Sequence, residues 1–432
     1  MRVLVLGAGY AGVTLARRLE SRLPDDAELV VVDEDASHLV LHEVHRVIRR
    51  PGLAETIQVP LEDLFDRAEV RVARVDGVDR DARTVSFADG TELDYDYAAV
   101  CLGSATAYYD LPGVEERSLP LKSVADAEAI RESFLGAVDA VGGGETGDAA
   151  DAGGSITIDV SDEGAAAVDG SDTGDAAAAD IDASDGPSVP AAESGSVTAV
   201  VGGAGLSGVQ TAGELAALAA EEGVEADITL VEQLDHVAPN FPENFREAVR
   251  EALETRGIDV RTGTSVERAT DEAVETDAGT FACDTFVWTG GIAGQAAMGG
   301  DRPVVRSDLR LDERTFAVGD AARVVDADGE AVPASASAAL REARTVADNL
   351  AELVRHETEG EATDFAPRME PYRFEVPGWI VSVGDGAVAQ LGPTVVTGSA
   401  AKAMKASVGA GHLSSVGAVK NAANLVEEEL NS

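Results

Sequence analysis

The chain is poor in positive charge, in lysine, in cysteine and in aromatic side chains, and each shortage excludes something. Lys and Arg together number 33 against 79 Asp and Glu, a formal net charge of −46 over 432 residues. Such a surface repels a phosphate backbone, which rules out a broad nucleic-acid interface. Only two cysteines occur, Cys101 and Cys283, far apart and without CxxC or CxxxxC spacing. Neither a disulfide framework nor a local redox dithiol is expected, and both read as core thiols. No run reaches the roughly 18 apolar residues of a membrane-spanning helix. The opening MRVLVLGAG goes straight into a strand, without the basic region, long apolar stretch and cleavage site of a signal peptide. A cytoplasmic location is expected, free in the cytosol or peripheral on the cytoplasmic face of the cell membrane.

The sequence does hold two glycine loops of one design. In the first, the apolar run Arg2–Leu6 leads into GAGYAG, in which Gly7, Gly9 and Gly12 give the GxGxxG spacing; VTLARRLESRL then has helical periodicity, and the strand AELVVVD ends at Asp33. That acid lies 21 residues beyond Gly12, the separation at which a carboxylate accepts from a ribose 2′-hydroxyl. The second copy has every part again: strand SVTAVV, Gly203, Gly205 and Gly208 in GAGLSG, helix VQTAGELAALAA, and strand ADITLVE ending at Glu232. Glycines there let the backbone approach a pyrophosphate, whose charge is met by the amides of a helix N-terminus. Two loops imply two dinucleotides. Glu232, with no Arg following before Arg246, favours NAD over NADP, because a carboxylate repels a 2′-phosphate.

Between the copies, residues 141–196 carry no Lys or Arg and almost no large apolar side chain. Such a stretch cannot bury enough surface to offset chain entropy, and it reads as a disordered acidic insertion. After Glu232 the sequence suggests a helix (FPENFREAVREALETRG), a strand (IDVRTG) and a return strand in DTFVWTGG. RTFAVGDAARV offers one more strand, with Gly319-Asp320 at the start of a helix-like region. From Pro371 onward the pattern alternates like a small antiparallel sheet before a final helical stretch. The fold expected is α/β, with two Rossmann-like domains: one made from 1–140 and 303–370, one from 197–302, and a small C-terminal region at 371–432.

The two loops, with YDYAAVCLGS (Tyr95 to Ser104) and TFAVGDAA (Thr315 to Ala322), resemble the two-dinucleotide-binding-domain flavoproteins, the pyridine nucleotide-disulfide oxidoreductases. CLG, ending at Gly103, stands where that family has ATG. Outside the insertion the chain is similar to the type II NADH dehydrogenases, NADH:quinone oxidoreductases. The resemblance implies FAD on the first loop, with Gly7, Gly9, Gly12 and Asp33 at its pyrophosphate and ribose. Val75 would meet the adenine through its backbone, and Gly319-Asp320 would meet the ribityl chain. It implies NADH on the second loop with Glu232, and a quinone as acceptor. Two positions depart from the family. Its GVE reads Gly208-Val209-Gln210, and its PxxAQ reads Pro333 to Ser337. Gln210 cannot act as a carboxylate but can hydrogen-bond, and Ser337 is shorter than Gln; both lie near flavin and quinone by resemblance. Hydride transfer survives both changes, since it is the cofactors' own chemistry. The acidic, lysine-poor composition looks like that of haloarchaeal proteins, whose concentrated salt screens self-repulsion.

His42-Glu43-Val44-His45 has its histidines three apart, whereas HExxH needs four, so no metal is expected and the segment reads as a polar helix face beside Arg46, Arg49 and Arg50. From Gly386 to Val426 there is no Asp or Glu, yet Lys402, Lys405 and Lys420 are three of the four lysines in the chain. Ala401, Met404, Val408, His412 and Val416 fall near helical spacing. This suggests a cationic amphipathic segment touching anionic lipid, or else packing against a second subunit or the flavin domain. Three rival functions stand beside NADH:quinone oxidoreduction: an NADH-dependent reductase of a soluble acceptor, sulfide:quinone oxidation, and a flavin redox sensor without turnover.

Overall fold

A computed structural model describes residues 1–142, 195–359 and 367–431. Residues 143–194, nearly all of the acidic insertion, lie outside the described residues.

Two parallel sheets organise the chain. The first has the strand order Thr315–Ala317, Tyr97–Val100, Arg2–Leu6, Glu28–Asp33 and Glu69–Val72. Its central strands read as unbroken apolar runs because both faces are covered, and Val3 to Leu6 and Ala98 to Val100 are fully buried. Helices Tyr10–Glu20 and Ala336–Glu359 pack on each other beside it. The second sheet, Asp259–Thr262, Ala226–Glu232, Val197–Gly202 and Thr285–Trp288, is also parallel throughout, with helix Leu206–Glu222 after its central strand. The repetition goes further than the glycine loops. Each sheet is interrupted in the chain by a three-stranded antiparallel meander before its returning strand, Val75–Asp79 with Thr84–Phe87 and Glu92–Asp94 before Tyr97–Val100, and Val266–Ala269 with Ala273–Thr276 and Gly279–Ala282 before Thr285–Trp288.

The C-terminal region is the expected antiparallel sheet, Gly378–Val383, Gly386–Leu391 and Thr394–Thr397. It is not half-solvated, as alternation suggests: Val381, Ser382, Val383 and Ala387 through Gln390 are all buried. Helix Leu206–Glu222 covers one strand and helix Gly398–Ser415 the next. Gly213 lets the first of these helices sit close, since a Cβ there would lie 2.5 Å from Gly384 N. Helix Val419–Asn431 then packs back on Gly398–Ser415.

Two local expectations need correction. Gly319-Asp320 does not open a long helix; Gly319–Ala321 is a single 3-10 turn followed by the short strand Arg323–Val324, and the helix begins at Ala336. The segment Leu41–Ile48 is a 3-10 helix rather than a polar surface helix, with Glu43, His45 and Arg46 buried.

Candidate functional site

Each parallel sheet ends its first strand in a glycine turn that aims the following helix at open space. Gly7 has φ +100°, and a Cβ there would lie 2.3 Å from Cys101 O; its N–H donates to Val32 O at 2.7 Å. Gly203 has φ +94°, a Cβ would lie 2.6 Å from Gly290 Cα, and its N–H donates to Val231 O at 2.7 Å. At the third glycines the helix is pressed against the turn: a Cβ on Gly12 would lie 1.7 Å from Gly7 O, and one on Gly208 1.8 Å from Gly203 O. At the middle glycines, Gly9 and Gly205, nothing lies within 4 Å of a Cβ. That is the empty side of the turn, where the first amides of Tyr10–Glu20 and Leu206–Glu222 are presented to a ligand phosphate. The acids match too. Asp33 Oδ2 accepts from Ala8 N–H at 2.5 Å, and Glu232 Oε2 accepts from Ala204 N–H at 2.8 Å. Burial raises the Asp33 carboxyl above its ordinary range.

Around the first turn the structure collects most of the other expected residues. Ala73 N–H donates to Asp33 O at 2.7 Å, which brings half-buried Val75 to the edge of the turn. Gly103, at φ +67°, ends the Tyr97–Val100 strand segment beside it. Asp320 faces the same side: Ser104 Oγ lies 3.5 Å from its Oδ2 and 3.2 Å from Lys122 Nζ. Burial lowers the Lys122 ammonium, and the nearby Asp320 charge opposes this. Behind Asp320, Gly319 N–H donates to Glu342 Oε2 at 2.7 Å, and burial pushes the Glu342 carboxyl up to about 7.

Gln210 and Ser337 have different partners. Gln210 Nε2 donates to Ser382 Oγ at 3.3 Å, and that hydroxyl meets His45 Nε2 at 2.7 Å. The amide thus joins the second-loop helix to the C-terminal sheet and the 41–48 segment. Ser337 Oγ accepts from Arg341 Nη1 at 2.5 Å within its own helix.

Sequence reasoning missed a buried polar network where the first turn, the 41–48 segment and the C-terminal helices meet. Glu43 Oε2 lies 2.8 Å from Lys405 Nζ and 3.4 Å from Arg46 Nη1; Glu429 Oε2 lies 2.8 Å from Arg46 Nη1 and 3.8 Å from Lys405 Nζ. Burial raises the Glu43 carboxyl, but Lys405, His42 and Arg46 outweigh it and hold the group at about 2. Arg49 Nε donates to Glu214 at 2.9 Å and its Nη1 to Asp385. Tyr10 hydrogen-bonds His42 Nδ1, and His38 pairs with His412 at 2.9 Å.

Of the two readings of the C-terminal segment, packing within the chain accounts for most of its named positions. Lys405, His412, Leu413 and Val416 are buried inside the chain, as is Ala401. The apolar side of the helix is covered by the first domain and the C-terminal sheet, so packing on the flavin domain explains it. Of the large apolar and cationic side chains there, Val408, Val419 and Lys420 are exposed, and Lys402 and Met404 are half-buried. The signal was present: a stretch devoid of acid supplies the cation for a buried acid elsewhere.

Cys101 and Cys283 are free and buried, and burial pushes both thiols up, Cys283 to about 12. Among the described residues no helix is long and apolar enough to cross a membrane, and no group of three or more His, Cys, Asp or Glu is arranged to hold a metal ion.

Similarity to known proteins runs along the same lines. A type II NADH:quinone oxidoreductase of Staphylococcus aureus is 23% identical over 407 residues, 89% of this chain and 87% of that protein. The structure of NDH2 from Plasmodium falciparum in complex with NADH superposes with TM-score 0.74 at 12% identity, covering 99% of this chain and 97% of that one. The sulfide:quinone oxidoreductase of Aquifex aeolicus superposes at 0.69 with 14% identity, covering 97% and 92%. At those identities the two structures speak for the fold. The family profile described as pyridine nucleotide-disulphide oxidoreductase matches residues 1–150 and 162–343. With two glycine turns of one geometry and a profile match over most of its length, the chain belongs to the pyridine nucleotide-disulphide oxidoreductase family.

Proposed function

We propose that the protein is an FAD-dependent NADH dehydrogenase that passes hydride from NADH to flavin and electrons on to a membrane quinone. The observation that carries this is the duplicated turn, each copy with an open middle glycine, a close-packed third glycine and a strand-end acid bonded to a loop amide. Relatives named type II NADH:quinone oxidoreductase, similar over 89% of the chain, support the choice of donor and acceptor.

The first turn, with Asp33, Val75, Gly103, Gly319 and Asp320, holds FAD, and the second, with Gly203, Gly205, Gly208 and Glu232, holds NADH. Residues 1–140 and 303–370 make the FAD unit, which is supported by a five-stranded sheet drawing strands from both stretches; 197–302 make the NADH unit, and 371–432 close over their junction. FAD, when bound, supplies the hydride acceptor. The chain binds it through backbone amides, orients it with the carboxylates and needs no nucleophile of its own. Gln210 and Ser337 act by position: the first ties the NADH unit to the C-terminal sheet, the second is held by Arg341. Exposed Val408 and Val419 are the contact with the membrane face. The acidic, lysine-poor surface suits work in concentrated salt of the haloarchaeal kind.

The test is purification in high salt, a visible spectrum, anaerobic addition of NADH, then a menaquinone analogue. A yellow protein with non-covalent FAD is expected, bleached by NADH and recoloured by the quinone. A colourless protein that takes up no FAD refutes the assignment. Bleaching reversed by a soluble acceptor and not by quinone would transfer the function to a soluble-acceptor reductase.

A further inference from the structure

Reduction of a quinone by NADH consumes a proton besides the hydride, NADH + H⁺ + Q → NAD⁺ + QH₂. On the function proposed above, that proton must reach a buried centre. Beside the first glycine turn, the hydrogen positions of two buried histidines follow from bonding alone. His38 Nδ1 lies 2.9 Å from Ala8 O. A carbonyl only accepts, so Nδ1 carries the hydrogen. Burial holds the His38 ring at about 4, so it is neutral and its Nε2 is a bare lone pair. That atom lies 2.9 Å from His412 Nε2, which must then carry a hydrogen and donate it. Burial likewise pushes His412 down to about 3. Its Nδ1 is left as a bare acceptor, buried and without a hydrogen-bond partner among the described residues, on a residue 7% exposed. The chain from His412 through His38 to Ala8 points one way, and its head is an open proton-accepting atom.

Aromatic and charged groups surround the pair. Tyr10, directly after Gly9, sets its ring 4.6 Å from that of His412 and 5.5 Å from that of His38, both in edge contacts. His42 acts on both rings from the 41–48 segment, Glu43 lies behind it against His42, and Lys405 lies two turns back on the helix of His412, its charge met by Glu43 at 2.8 Å.

We propose that His412, supplied by the C-terminal helix, is a proton carrier for the site on the first glycine turn, with His38 as the positioning residue that fixes its tautomer. The step is proton transfer alone. A proton from solvent hydronium, which becomes water, forms an N–H bond at Nδ1 as the ring becomes cationic, and that bond breaks as the proton passes to the quinone oxygen left anionic by the two electrons; while the ring is charged, the Nε2 hydrogen can cross to His38, moving the charge to the ring bonded to Ala8. No electron moves in these transfers.

The test uses holoenzyme with ¹⁵N-labelled histidine. NMR is expected to show His38 as the Nδ1–H tautomer and His412 as the Nε2–H tautomer; the reverse pairing overturns the proposal without any variant. Turnover is then measured with a water-soluble quinone and with ferricyanide, which takes electrons without a proton. His412→Gln keeps a donor toward His38 but no transferable proton. Its quinone-to-ferricyanide rate ratio is expected to fall about 10²-fold, the usual worth of a positioned acid or base, and further as pH rises. His38→Gln is expected to lower the ratio less and to mix the His412 tautomers. A ratio within twofold of wild type in His412→Gln overturns the proposal. Wild-type enzyme that uses ferricyanide and no quinone instead refutes the proposed function.

Discussion

Replacing Lys405 by Met tests whether the C-terminal helix is interior structure. Four charges meet at this point, Glu43 and Glu429 against Arg46 and Lys405, and all four side chains are less than a tenth exposed. The set is neutral. Methionine preserves the shape of the lysine stem and leaves two carboxylates facing one guanidinium. Breaking a buried pair by removing one partner costs about 3–5 kcal/mol, because the remaining charge stays desolvated. The pH dependence has a definite sign. In the wild type Glu43 is depressed from 4.5 to about 2, so its contribution is present above about pH 4.5 and is lost as pH falls toward 2. Without Lys405 the strongest charge lowering Glu43 is gone while burial still raises it, so its folded value moves up from about 2, and the variant keeps less of the carboxylate's contribution as pH rises. The deficit against wild type is therefore smaller near pH 4 than near pH 8. Adding Glu43→Gln leaves Arg46 with Glu429, a balanced pair at 2.8 Å, and is expected to recover about half of the loss. Urea unfolding of the holoenzyme at fixed high salt, followed by far-UV circular dichroism and flavin release, measures both. Exposed Lys420→Gln, the control, should stay within about 0.5 kcal/mol of wild type. If Lys405→Met costs under about 1 kcal/mol, or the double variant is no better than the single, the cluster does not act as an interior neutral set.

The two turns should fail separately. Gly12→Ala places a Cβ 1.7 Å from Gly7 O and is expected to abolish FAD retention, while Gly208→Ala, at 1.8 Å from Gly203 O, should keep the flavin and lose NADH binding by titration. With Glu232 at the second strand end and no Arg before Arg246, kcat/KM for NADH is expected to exceed that for NADPH at least about tenfold, or roughly 1.4 kcal/mol; equal values remove that role from Glu232. Iodoacetamide on the native protein should leave turnover unchanged, since both thiols are buried and raised, whereas inactivation at either cysteine would favour sulfide chemistry. Val408→Asp with Val419→Asp, both on exposed positions, should weaken binding to anionic vesicles at every salt concentration with unchanged unfolding; unaltered binding eliminates that face as the membrane contact.

What could be read in the sequence was local. A glycine turn is specified by residues within about thirty positions of one another, and strand, turn, helix and acid had to agree only over Arg2–Asp33 and Val197–Glu232. The two turns accordingly share one geometry, glycine for glycine and acid for acid. The network around the 41–48 segment depends instead on pairs that distance in sequence conceals: Glu43 with Lys405 is 362 positions apart, and His38 with His412 is 374. No periodicity connects such pairs. The acid-free stretch from Gly386 did carry information, but lipid and a buried carboxylate both explain a lysine in an apolar helix, and composition alone does not separate them. Burial does. Lys405 has no outward path, and the helix that brings it also brings His412 against Tyr10 and against His38, the ring that bonds the residue following Gly7. The C-terminal helix thus completes the first dinucleotide turn from behind. Removing it would expose Glu43, His38 and Tyr10 together, so a chain truncated before Gly398 is expected to lose FAD as well as membrane contact. A truncated protein that kept its flavin and lost only vesicle binding would show the helix to be a separable anchor after all.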